Sequence, residues 1–225
     1  MPVFTKPEIS DVYEFLRQRN ALIVHFSGAP KGSGVDRGDK HLYPADLRHV
    51  LASKAMGGVS ASAVQPGDVF HGFERNATGC IGVVLGLRDK DSLVAVDPRD
   101  CGSIEDESGN RIVQHEKDIS IADLRRSFAD RESYNEWVIR KYSSLGIFAA
   151  PPREVSILQV PTFPEDMPES LRDETPVPAF RTVSLEELTA TFATMPIYTF
   201  QRGQLCRYIR GELVPVEHSE VYRLS

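Results

Sequence analysis

The sequence predicts an α+β domain, and three observations predict it. Short apolar runs rich in β-branched residues, each of strand length, occur at residues 21–26, 80–85 and 92–96. Segments with apolar residues at helical spacing lie between and around them. No internal repeat or linker divides the 225 residues, which are enough for one full hydrophobic core. We therefore expect a single domain over residues 1–225.

Four segments show the apolar spacing or the capping residues of a helix. They are residues 9–19, residues 43–56, residues 121–145 and a segment that begins at Ser184. In the longest of them Leu124, Trp137 and other apolar residues can share one face, and Gly146 ends it. Ser184 and Glu187 have the spacing of a capping box.

The remaining segments are predicted to be strands or loops. The strands are 21–26, 59–64, 80–85, 92–96, 154–160 and hairpin strands within 197–224 that turn at Arg210-Gly211. Glycine and proline are too dense in residues 28–34 for a regular element, so this segment is predicted to be a loop. Residues 161–178 are rich in proline and acidic residues, which predicts an irregular excursion.

Composition and charge exclude several classes of protein. The net charge of −6 argues against a protein held on nucleic acid by charge alone, although residues 1–60 carry eight Lys and Arg against six Asp and Glu. The longest apolar run is too short to span a bilayer, and the first residues lack the pattern of a signal peptide. Three widely spaced cysteines fit reduced thiols. We therefore expect a cytoplasmic protein without a membrane partner.

His25 is the first candidate for a functional side chain. It ends an apolar strand and is followed by Phe26, Ser27 and Gly28, so we expect it where a sheet meets a loop cleft. An imidazole can donate or accept a hydrogen bond at neutral pH and can hold a ribose hydroxyl or an amide. A hydrogen-bonded core histidine is the alternative interpretation.

Two serines form the second candidate group. Ser60 and Ser62 are two residues apart in a predicted strand and therefore point to the same side of it. They either line a pocket or allow close packing. The six histidines show no spacing typical of metal ligands, and the loop at 28–34 lacks the order of a phosphate-binding loop, so no metal site is expected.

Two glutamates are candidates for a catalytic carboxylate. Glu154 begins a strand directly after Pro151-Pro152, where it can be held at a cleft edge and stabilise an oxocarbenium-like centre. A solvated glutamate at a strand end is the alternative interpretation. Glu136 is the rival carboxylate, and the predicted helix 121–145 favours a position on a helix surface for it.

The order of these pieces resembles the ADP-ribosyltransferase fold, and within it the DarT-type enzymes that modify nucleic-acid bases. A first strand from Leu22 to Ser27 carries His25, a Ser-x-Ser strand follows at Ser60, and a late strand opens on Glu154. The resemblance covers residues 20–160, and residues 161–225 have no recognised counterpart. It implies a mostly antiparallel, split central sheet flanked by helices.

The same resemblance implies NAD as the substrate, no metal, and a set of site residues. Glu154 and His25 would be catalytic, and the NAD contacts would be His25, Phe26, Ser27, Gly28, Arg48, Ser60 and Ser62. Arg37 is the alternative to Arg48 at the diphosphate. The acceptor would be a DNA or RNA base or a protein, and a toxin of this kind would have an antitoxin partner.

Two other functions remain open at this point. One is a non-catalytic binding protein, such as an antitoxin-like module, that engages a partner through the acidic segment 161–178. The other is a nuclease or another hydrolase that uses His25 and Glu136, because both residue types suit general acid–base catalysis.

Overall fold

The computed structural model describes residues 3–27, 51, 59–68, 80–98, 116–129, 135–150, 152, 154–159 and 179–223. The strands within these ranges are β1 (Leu22–Ser27), β2 (Val59–Val64), β3 (Cys80–Leu87), β4 (Leu93–Asp97), β5 (Glu136–Ile139), β6 (Tyr142–Ala150), β7 (Glu154–Gln159), β8 (Ala179–Ser184), β9 (Ile197–Gln201), β10 (Gln204–Ile209) and β11 (Glu212–Pro215). The α-helices are α1 (Ile9–Arg17), α2 (Ile121–Ser127), α3 (Leu185–Thr191) and α4 (His218–Val221).

Nine of the described strands form one open sheet, and the α+β class is confirmed. Their order is β11-β10-β9-β6-β3-β1-β2-β5-β4, and β7 pairs with β8 in a separate two-stranded sheet. The pairing is antiparallel except between β6 and β9, which run parallel. β1 lies near the middle of the sheet, so its residues Leu22, Ile23 and Val24 are fully buried.

The helices before and after the first strands cover one side of the sheet. α1 turns its buried residues Val12, Phe15 and Leu16 toward the core, and α2 packs against both α1 and β4. Trp137 of β5 is fully buried and donates from Nε1 to the Ser127 Oγ at 3.1 Å. These contacts place β5, a short strand of four residues, firmly inside the core.

The predicted helix over residues 121–145 is wrong. α2 ends at Ser127, and the apolar residues that follow belong to β5 and β6 instead. Trp137, Val138 and Ile139 are consecutive and all buried, as in a strand covered on both faces. Val138, Tyr142 and Leu145 also have the spacing of one helical face, so periodicity could not separate the two structures. Lys141, with φ of 51°, makes the turn between the two strands.

Several other elements are confirmed. The helix near residues 9–19 and the strands near 21–26, 59–64, 80–85, 92–96 and 154–160 are present. The predicted turn at Arg210-Gly211 joins β10 to β11 with positive φ at both residues. Ser184 caps α3 by accepting from the Glu187 N–H at 3.1 Å. The short helix α4 was not predicted.

Other predictions fall outside the described residues or stay untested. The loop 28–34 and the segment 161–178 lie outside them, as does the predicted helix 43–56 except for Leu51. The described apolar residues form one large buried cluster and one small group of three residues. The single-domain organisation over residues 1–225 stays a prediction.

Candidate functional site

Three neighbouring strands carry the polar residues that the sequence singled out. β1 lies beside β2, and β2 lies beside β5. The partners include Val24 with Ser62 between β1 and β2, and Ala61 with Trp137 between β2 and β5. β1, β2 and β5 therefore bring His25, the two serines and Glu136 into one part of the sheet, although β5 is distant in sequence.

The sheet divides at this point. The pairing of β1 with β2 runs from Leu22 to Val24 only. Beyond it β1 continues to pair with β3 as far as Ser27, and β2 continues to pair with β5 as far as Val59. We call this stretch, where the two strands keep their outer partners but no longer pair with each other, the gap. Their facing backbone groups then need other partners.

His25 supplies one such partner. Its Nδ1 lies 2.6 Å from the backbone oxygen of Ser60, across the gap between β1 and β2. A carbonyl oxygen only accepts, so Nδ1 carries the hydrogen and donates it. In the neutral imidazole Nε2 is then an acceptor, and no hydrogen bond from Nε2 to the residues described here is found. The ring is half-buried and fixed at one nitrogen.

The two serines play different parts. Ser62 is fully buried, and its Oγ donates to the backbone oxygen of Asn135 at 2.8 Å. The Asn135 side chain in turn accepts from the Ala63 N–H at 2.8 Å and donates to the Ala63 oxygen at 2.9 Å. Ser62 thus ties β2 to the start of β5. Ser60 is half-buried and holds His25 through its backbone oxygen.

Asn135 is a residue that the sequence did not single out. It is buried and satisfies both polar groups of Ala63, so it extends the pairing of β2 with the chain before β5 by side-chain hydrogen bonds. Its one sequence signal is a polar amide two residues before the apolar run that begins at Trp137. That signal was hidden by the helix predicted over the same residues.

Glu136 occupies a buried position on β5 rather than a helix surface, so that expectation is wrong. It is only 3% exposed and pairs with Asp97 of β4. On its other side it lies opposite Ser62, because the preceding pair joins Ala61 to Trp137. Glutamate is seldom buried to this extent unless it is partnered, and a carboxylate held in this way is a candidate for chemistry.

The alternation of side chains along the strands assigns these groups to faces. Phe26, Ser60, Ser62 and Glu136 share one face of the sheet, and His25 belongs to the opposite face. The His25 imidazole reaches the plane of the sheet at the Ser60 oxygen. A ligand that contacts both the imidazole and the carboxylate therefore has to bridge the two faces of the sheet.

The remaining predicted site residues have different positions. Phe26 packs on the core with its ring 6.2 Å from that of Phe148. Ser27 ends β1, and its side chain lies outside the described part of the structure. Gly28 and Arg48 lie outside the described residues altogether, as does Arg37.

Glu154 lies in the two-stranded sheet. It begins β7 and pairs with Ser184 of β8, and β7 packs against β3 and β6. The next residue, Val155, is part of the buried core. The Glu154 side chain lies outside the described part of the structure, so a shared cleft with His25 stays a prediction. Strand pairing connects Glu136, and not Glu154, to β2.

The described residues show neither a metal centre nor a membrane span. No group of three or more His, Cys, Asp or Glu side chains within the described ranges is arranged to hold a metal ion. No helix in this part of the chain is both long and apolar enough to cross a bilayer.

Comparison with protein-family models, with curated proteins and with solved structures gives no match to this chain. The function is therefore argued from the residues of the site themselves.

Proposed function

We propose that this chain is an NAD-dependent ADP-ribosyltransferase whose site is the gap between β1 and β2. The observation that carries the proposal is the position of three neighbouring strands: His25 on β1 bonds to the Ser60 oxygen on β2 across that gap, and Glu136 on β5 lies beside Ser62 of β2. The resemblance to the ADP-ribosyltransferase fold predicts His25 and the serine strand at these places, and it predicts Glu154 as the catalytic glutamate, so Glu136 is an assignment from strand pairing.

The reaction makes a specific demand on the site. Nicotinamide leaves the ribose with the electron pair of the glycosidic bond, and positive charge develops on the ribose ring. The acceptor then bonds to the same carbon and loses a proton. A fixed carboxylate stabilises the developing charge more than it stabilises neutral substrate, which is how it accelerates the reaction. The buried position of Glu136 suits this task.

His25 serves in binding and orientation. Its Nδ1–H is held by the Ser60 oxygen, so the ring has a defined direction. Nε2 then presents a lone pair that accepts from a ribose hydroxyl or from the carboxamide of nicotinamide. The cofactor would act as substrate, and no metal is required by this scheme.

The proposal also has to say which glutamate supplies the carboxylate that stabilises the developing charge. Glu136 is supported by its burial and by its place on the strand beside Ser62. Glu154 is supported only by the resemblance in sequence order. We therefore assign the charge-stabilising role to Glu136 and keep Glu154 as the alternative. The acceptor, a nucleic-acid base or a protein, is left to experiment.

Two matched variants test the assignment. Glu136→Gln is expected to keep an NAD-induced rise in melting temperature, because ligand binding to the folded state stabilises it. The same variant should lower nicotinamide release by about 100-fold or more, the usual effect of removing one transition-state contact. Glu154→Gln should leave nicotinamide release within about twofold of the unaltered protein. Loss of release in Glu154→Gln alone would move the role to Glu154.

His25→Ala completes the experiment. It should abolish the NAD-induced rise in melting temperature while the protein stays folded, because His25 is half-buried and makes one hydrogen bond. The proposal fails if millimolar NAD gives no thermal shift and no acceptor, nucleic acid or protein, supports nicotinamide release.

A hydrolase that uses the same two residues is the second candidate. His25 on β1 and Glu136 on β5 both flank β2, and both residue types suit general acid–base catalysis. Hydrolysis of a nucleic acid or an ester in the absence of NAD, lost in both His25→Ala and Glu136→Gln, would support that function instead.

A further inference from the structure

A basic groove lies at the other end of β1, beyond its first residue. The groove encloses about 700 Å³ and is formed by the end of α1, the turn after β2, the end of α2 and the turn between β9 and β10. Its lining includes Arg17, Arg19, Arg125 and Phe128. Among the described residues three arginines and no acidic residue line it, although the whole chain carries a net charge of −6.

The arginines at the ends of α1 and α2 fall into two kinds. Arg17 is paired with Glu14, with Nη2 and Oε1 2.6 Å apart. Arg126 is paired with Asp123 at the same distance. Arg19 and Arg125 make no ion pair with the residues that the structure describes, and both line the groove. Arg19 and Arg125, which have no described carboxylate partner, therefore lie together in the groove, where Arg17 is already paired.

Arg19 is held in place before any ligand arrives. Its guanidinium carbon lies 4.0 Å from the centre of the Phe15 ring and 5.5 Å from that of Phe128. Such cation–π contacts fix the planar group. Burial, followed by the nearby charge of Arg125, lowers the pKa of Arg19 from its ordinary value. Two like charges are thus kept close together, which costs free energy unless an anion offsets it.

Helix electrostatics alone does not account for this arrangement. Basic residues near the end of a helix are stabilised by its negative C-terminal partial charge. Arg125 and Arg126 both lie in the last turn of α2, so that effect favours them equally. It explains neither the stacking of Arg19 on Phe15 nor the convergence of Arg19 and Arg125 in one groove.

We propose that this groove binds a small ligand through its phosphate group, held by the guanidinium groups of Arg19 and Arg125. Each guanidinium can donate two parallel hydrogen bonds to phosphate oxygens, and two of them offset the charge of a phosphate dianion. The groove is large enough for a nucleotide as well as for free phosphate. The site lies at the opposite end of β1 from His25, and it does not depend on the function proposed above.

The test uses two neighbouring arginines of α2. Calorimetric titration of the full chain with inorganic phosphate and with AMP is expected to show binding at low salt. Arg125→Gln should weaken that binding at least about tenfold, the loss expected for a hydrogen bond between charged groups. Arg126→Gln removes the same charge from the same helix turn but lies outside the groove, so binding should stay within about twofold.

The outcomes separate the possibilities. A higher affinity for AMP than for phosphate identifies a nucleotide as the source of the phosphate, and equal affinities identify free phosphate. Equal weakening in Arg125→Gln and Arg126→Gln would show that helix-end electrostatics, and not the groove, holds the anion. No binding to the unaltered protein would also overturn the proposal.

Two further measurements test whether this site is distinct from the gap at His25. Phosphate binding should be unchanged in His25→Ala, and nicotinamide release should be unchanged in Arg125→Gln. Loss of phosphate binding in His25→Ala would place the anion at the other end of the strand and overturn the assignment.

Discussion

At both ends of β1 side chains complete backbone hydrogen bonds, but they do so in different ways. At the first end, side chains from distant segments complete the backbone hydrogen bonds of the strand. His218 Nε2 donates to the Ala21 oxygen at 2.8 Å, and the Tyr222 hydroxyl accepts from the Ile23 N–H at 2.7 Å. Both side chains are buried. At the last end, His25 reaches across to Ser60 and stays half-buried.

The difference lies in what each end leaves available. At the first end Tyr222 stacks on Tyr13 and His218, with ring centres 4.7 Å and 4.8 Å apart. At the last end the imidazole uses one nitrogen for the backbone, and no hydrogen bond from the other to the described residues is found. Where the pairing of a strand lapses, its end can thus be buried, which stabilises the fold, or left accessible, which allows binding. The number of side chains packed at that end decides between these two arrangements.

The largest expected effect comes from a substitution on β3 that displaces β1 beside His25. A Cβ added at Gly82 would lie 2.5 Å from the His25 backbone oxygen and 2.5 Å from Val24 Cγ1. Gly82→Ala should therefore displace β1 and lower the free energy of unfolding by about 3 kcal/mol, the upper end for overpacking. Denaturant unfolding measures the loss, and the NAD-induced thermal shift should disappear with it.

Gly86→Ala on the same strand is the matched control. Its added Cβ would meet only the flexible end of Leu145, at 2.9 Å from Cδ1. We expect a loss of less than about 1 kcal/mol and a retained response to NAD. Equal losses in the two variants would show that the position of β1 at His25 does not govern the site.

The second largest effect is expected from a substitution at the first end of β1 that removes one of its side-chain hydrogen bonds. Tyr222→Phe removes the acceptor of the buried Ile23 N–H, and an unpaired buried donor costs about 2 kcal/mol of unfolding free energy. Tyr208→Phe is the control, because the Tyr208 hydroxyl bonds to Glu186 at an exposed position. Its loss should be below about 0.5 kcal/mol. Chemical denaturation of both variants checks the difference, and a small loss in Tyr222→Phe would mean that the first end is not closed by this bond.

The smallest effect is a pH dependence at the same end. Burial lowers the pKa of His218 from its ordinary value of 6.5. Between the lowered value and 6.5 the unfolded chain therefore binds more protons than the folded chain, and stability falls as the pH falls through this range. One such proton gives a slope of at most about 1.4 kcal/mol per pH unit.

Melting temperatures of the unaltered protein and His218→Gln between pH 5 and pH 8 measure this slope. The variant should lose stability at pH 8 but show the flatter profile below pH 6.5. Parallel profiles would show that His218 does not titrate in the folded protein, and the comparison between the two ends would then rest on Tyr222 alone.

Local sequence signals determined much of the fold. The apolar runs of β1, β3 and β4, the cap at Ser184 and the turn at Arg210-Gly211 depend on residues adjacent in the chain, and each is present. The helix over 121–145 failed because the pattern of its apolar residues fits two structures. What decides between them is the pairing of Trp137 with Ala61 on one side and Val96 on the other, both of them far away in sequence.

The candidate site divides in the same way. The sequence by itself marked His25 and the serine pair, because a polar residue at the end of an apolar strand is visible locally. It could not place Glu136, since only the pairing of β5 with β2 sets that carboxylate beside Ser62. It gave no sign that β1 and β2 part after Val24. Strand pairing joins residues of any separation, so the tertiary structure alone decided where the gap opens and which strands lie beside it.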